Sequence, residues 1–157
     1  MALIVGNDSY MSLESADLYW SGRNDATWAG AEVLAKEAAL REATQYLDGR
    51  YDWVGDHPGG GQRLGWPRLG AFDREGWPLT GIPGKVAEAT AELARQALTE
   101  RLAPAEARGG RTRREKVGSL EVEYLGGAPG GRSYPFVTLL LKGLIKGDGN
   151  APALVRA

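Results

Sequence analysis

Residues 26–47 read ATWAGAEVLAKEAALREATQYL, and this stretch decides the fold class. Ala, Leu, Glu, Lys, Arg and Gln, the side chains that lose least on entering a helix, fill most of it. Leu34, Ala38, Ala39, Ala43, Tyr46 and Leu47 recur at three- and four-residue steps, which predicts one apolar helix face. Gly30 predicts a break near the start and Gly49 a stop at the end. A helix with such a stripe must cover it with other elements.

Those elements lie on both sides of it. Upstream, 9–20 offers Ser9 or Ser12 as an N-cap, Glu14 and Asp17 in the early turns, and Leu13, Ala16, Tyr19 and Trp20 at helical spacing. Downstream, Pro83 sits well as the first residue of a helix over 83–102, with Val86, Ala89, Leu93, Ala94, Ala97 and Leu98 on one face. Residues 117–124 alternate Leu120, Val122 and Tyr124 with Ser119, Glu121 and Glu123, the period of one half-buried strand whose partner is not evident. Residues 134–145, with Phe136, Leu139, Leu140 and Leu144, read as a last short helix.

Between the second and third helices, 51–83 carries eight glycines and Pro58, Pro67, Pro78 and Pro83, which leaves little room for a regular element. Trp53, Trp66, Phe72 and Trp77 are spread through it, and a disordered segment rarely carries such large aromatics. The expectation is an ordered loop pinned by its tryptophans. The fold class is therefore mainly α: a small bundle of about four helices with a long Gly/Pro/Trp-rich loop and a short β-strand or hairpin. One helical domain over 1–146 and a flexible tail over 147–157 complete the expected organisation.

Composition narrows the function. The 157 residues contain no Cys and one His, His57, which removes disulfides, thiolate nucleophiles and Cys-ligated metal centres. No apolar run is long enough to span a bilayer, and 1–6 lacks the basic start of a secretory signal, so no membrane partner and a cytoplasmic product are expected. Nineteen Lys and Arg against twenty Asp and Glu give a net charge of -1, which is not the footprint of a dedicated nucleic-acid binder.

Gly59, Gly60 and Gly61 lack the strand, the Gly-Lys-Ser/Thr step and the helix that a phosphate loop requires. Asp52, Asp56 and His57 read as a solvated turn rather than a catalytic cluster. The five tryptophans could stack on unpaired bases, but core and loop anchoring is the first expectation, because acidic residues are interspersed among them. Arg108, Arg111, Arg113, Arg114 and Lys116 against Glu115 give 108–116 a local charge of +4, which reads as a mobile basic loop. No catalytic residue, metal site or cofactor is expected.

Several blocks together carry a family resemblance. Asn7-Asp8-Ser9-Tyr10, Ala16-Asp17, Tyr19-Trp20, Ala38-Ala39-Leu40 and Tyr46-Leu47-Asp48 open the series. Gln62-Arg63-Leu64-Gly65-Trp66-Pro67-Arg68, Ile82-Pro83, Glu92-Leu93-Ala94, Glu115-Lys116-Val117-Gly118, Glu121-Val122-Glu123-Tyr124 and Tyr134-Pro135 continue it. In this order they resemble tailed-phage and prophage proteins labelled DnaT-like single-stranded DNA-binding proteins.

The helical layout, the size and the lack of active-site residues also look like those of phage head-to-tail connector adaptors. That likeness implies a non-enzymatic virion neck protein, present in the host cytoplasm before assembly, that seals the filled head and joins it to the tail. Its partners would be a homo-oligomeric ring of about twelve copies, the portal protein, a tail-side stopper or tail terminator, and packaged DNA passing through the lumen. By the same resemblance Leu139, Leu140, Leu144, Leu154, Val155 and Arg156 are portal-side candidates. Closing the chain's own core is the slightly preferred role for the first three. Arg108, Arg111, Arg113, Arg114 and Lys116 would face the tunnel and its DNA. The alternative is a replication accessory that binds single-stranded DNA.

Overall fold

The structure is a computed structural model that describes residues 2–103, 114–117, 120–123 and 132–147. Its helices are α1 (Leu13–Ser21), α2 (Ala26–Ala29), α3 (Val33–Arg50), α4 (Gly84–Ala97) and α5 (Pro135–Leu140), with strands β1 (Arg114–Val117) and β2 (Leu120–Glu123). The mainly helical class expected from sequence is the class observed. Two compact units are present, Met1–Leu102 with Tyr134–Ala157, and Ala103–Ser133.

In the first unit Ser12, not Ser9, caps α1 by accepting the Ser15 N–H at 3.1 Å. Ser9 is instead buried, its hydroxyl donating to the Met11 carbonyl at 2.9 Å. The Asp25 carboxylate caps the single turn of α2 through the Trp28 N–H at 2.8 Å. The break near Gly30 separates α2 from α3, but α3 runs through Gly49 to Arg50. Pro83 is the N-cap of α4 rather than its first residue, and α4 ends at Ala97 instead of 102. The last helix stops at Leu140, and the chain turns at Gly143, whose φ of 86° favours glycine.

The core forms where α3 packs on α4 and α4 on α5, with α1 touching α3 and α4. Leu40, Ala43 and Leu47 of α3 and Val86, Ala89, Ala91, Leu93 and Ala94 of α4 are all fully buried. Leu34, expected in the α3 stripe, is instead 74% exposed, while Lys36 is buried. Lys36 can face inward because its ammonium donates to Asp17 Oδ1 at 2.9 Å and lies 5.5 Å from the Trp28 ring centre.

In the second unit the strand expected over 117–124 is divided: Leu120–Glu123 form β2, the second half of an antiparallel hairpin, and Val117 belongs to β1. The missing partner of β2 is the basic segment immediately before it, with Arg114 opposite Glu123, Glu115 opposite Val122, Lys116 opposite Glu121 and Val117 opposite Leu120. Part of the expected basic loop is thus a strand, because a two-residue connection suffices for antiparallel pairing.

Candidate nucleic-acid interface

The long loop is ordered by one carboxylate. Asp48, near the end of α3, accepts Trp53 Nε1–H at 2.9 Å and the Tyr10 hydroxyl on Oδ1, and the Gly65 N–H at 2.9 Å on Oδ2. Tyr10 in turn accepts the Trp66 N–H at 3.2 Å. The three rings meet edge to face, Trp53 lying 6.4 Å from Tyr10 and 5.9 Å from Trp66. Gly65 is required here, since a Cβ would sit 2.5 Å from Trp53 Nε1 and 2.7 Å from Asp48 Oδ1. Arg68 is consumed by the same loop, donating to the carbonyls of Val54, Gly65 and Gly55. Burial and the Asp48 carboxylate push the Tyr10 hydroxyl well above the usual tyrosine range.

At the other end of the unit Trp20 and Trp28 pack 6.4 Å apart, and Trp28 Nε1–H donates to Asp17 at 2.7 Å. Asp25 bonds Arg95 of α4 at 3.1 Å, and its carboxyl is held below the usual range, chiefly by the Trp28 N–H and then by Arg95. Burial, followed by a bond to Glu92, raises the Tyr19 hydroxyl above its usual range.

Trp20, Trp28, Trp53 and Trp66 are therefore the anchors expected, and Trp77 is the exception at 71% exposure. It lies on a short turn. Leu79 N–H donates to the Ala71 carbonyl at 2.8 Å, Asp73 N–H to the Trp77 carbonyl at 2.9 Å, and Phe72 bridges Pro78 in antiparallel fashion. The Asp73 carboxylate accepts both Glu75 N–H and Trp77 N–H, so it is occupied in fixing the turn. Period-two alternation places Trp77 and Phe72 on opposite faces of this ribbon, and Phe72 is exposed as well. The Arg74 stem lies over Gly143, where a Cβ would come within 2.7 Å of Arg74 Cγ. Neighbouring Lys142 is exposed.

The residues singled out from sequence are scattered. Leu139 is exposed, Leu140 half-buried and Leu144 part of the core. Leu154, Val155, Arg156, Arg108, Arg111 and Arg113 lie outside the described residues, and Arg114 and Lys116 lie on β1. His57 shapes its own turn, accepting Gly59 N–H on Nδ1 at 3.0 Å with Nε2 3.1 Å from the Leu64 carbonyl. Among the described residues no three potential ligands cluster to hold a metal, and no helix is long and apolar enough to cross a membrane. Sequence reasoning grouped Trp77 with the four anchors and did not set it apart, although Asp73 and Gly76 between Phe72 and Pro78 are the marks of a tight turn.

The fold is that of a small helical domain carrying an ordered aromatic loop. The chain belongs to the family described as "Putative DnaT-like ssDNA binding protein", whose model matches residues 1–157. Among curated proteins and among solved structures none matches significantly. The family match overturns the connector reading and favours the alternative. The portal, the tail-side stopper or terminator, the ring of copies, the lumen DNA and the role in virion assembly fall with it. Shared size and helical layout had suggested a connector, but these are properties of many small helical domains and specify no partner.

Proposed function

We propose that this protein binds single-stranded DNA and performs no chemistry on it, acting as an accessory to DNA replication in the phage or prophage setting that the sequence resemblance implies. The observation that carries this reading is the family match along the whole chain. The composition is compatible with it in a particular way. A net charge of -1 leaves little general attraction for a polyanion, so affinity must come from a local surface and depend on few phosphates.

Fluorescence anisotropy of a labelled oligo-dT titrated with the protein at low salt tests the proposal. The expected result is saturable binding that unlabelled oligo-dT reverses and duplex DNA does not, with log K falling as log salt rises. An unchanged anisotropy at low salt would remove single-strand binding.

A further inference from the structure

We infer that the 71–79 turn is the surface on which the unpaired bases stack, with Trp77 as the platform and Arg74, from the same turn, as a cation for the strand. The inference rests on the single-strand reading above and gives it a location. Among the described residues Trp77 is the most exposed of the large hydrophobic side chains other than Leu34, yet both ends of its turn are fixed by backbone bonds and by the Asp73 carboxylate. An indole that faces solvent from a fixed backbone buries little for the fold, and only its two side-chain torsions remain to be ordered on contact with a ligand.

The chemistry selects the ligand. The exposed large aromatics among the described residues are Phe72, Trp77 and Phe136, whereas Leu18, Leu34 and Leu139 offer no π-face. A base presents its own face only when unpaired and unstacked, so a lone exposed indole favours single strands over duplex. Arg74, its stem supported on Gly143, makes no ion pair among the described residues and is available to a phosphate or to a second base. Glu75 shares the turn, so binding here leans on stacking more than on charge.

The test compares the whole chain with Trp77→Ala, Trp77→Phe and Arg74→Ala, using Leu34→Ala as an exposed apolar control, by anisotropy on oligo-dT across a salt series. Trp77→Ala is expected to weaken binding about ten-fold with an unchanged salt slope and unchanged thermal midpoint, and Trp77→Phe to restore part of the loss. Arg74→Ala should flatten the salt slope by about one phosphate contact. Oligo-dT should quench the emission of the wild type and not that of Trp77→Phe, since the other four tryptophans are buried. If the wild type binds and Trp77→Ala binds equally well, the site is wrong while the function stands. If the wild type does not bind, function and site fall together.

Discussion

Asp48 shows how much of a loop one side chain can hold. It receives a hydroxyl, an indole N–H and a backbone N–H from residues 10, 53 and 65, and no other acceptor bonded to those groups is present among the described residues. Asp48→Ala should therefore cost about 3 kcal/mol in urea denaturation, while Asp48→Asn, which keeps one acceptor oxygen, should cost about 1 kcal/mol. An unchanged midpoint for the alanine variant would contradict this role. The tyrosines make a second prediction. Tyr10 and Tyr19 are raised by burial and carboxylate partners, so the fold binds their protonated forms. That contribution is intact below the unfolded value of about 10 and is lost as pH rises above it. Their tyrosinate absorbance should appear together with loss of helical circular dichroism, and early titration in a still-helical protein would argue against it. Asp25 acts in the opposite direction: its lowered carboxyl supports the fold above a pH of about 4 and ceases to do so as pH falls below it.

At the scale of elements, the helices were legible in the sequence and their facing was less so. The α3 stripe chosen from spacing included Leu34 and Ala38, both exposed, and omitted Lys36 and Leu40, which are buried. Spacing alone cannot distinguish adjacent faces when alanines lie on both, and a lysine faces inward only where a partner such as Asp17 awaits it. The β1 strand was hidden by its charges, since Arg114, Glu115 and Lys116 lack the alternation that identified β2. Trp77 was hidden for another reason, because composition identifies an aromatic-rich loop without telling which ring faces water. Ala39, Ala43, Ala89, Ala91 and Ala94 are five of the twelve buried residues of α3 and α4. Ala43→Leu should accordingly destabilise by about 1–3 kcal/mol through overpacking, measured by thermal unfolding, whereas Leu34→Ala should change little.

For the whole molecule, the decisive contacts are the long ones. Trp53 bridges Ile145, Val54 N–H donates to the Leu144 carbonyl at 3.0 Å, and Lys146 N–H donates to the Asp52 carbonyl. These bonds lie in irregular backbone, outside the α3 and α4 helices. In native-state hydrogen exchange the amides of Val54 and Lys146 should open before those of the α3 and α4 interior, and equal protection would show that the clip is as cooperative as the core. The same clip sets a schedule for biosynthesis. Ile145 leaves the ribosome ninety-two residues after Trp53, its bridge partner. During that interval α3 and α4 can pair, but the loop between them has not met its closing segment. The nascent protein must therefore wait, with aromatic surface uncovered, for the turn that carries Ile145 to emerge, and that delay is the period in which a chaperone would find a client.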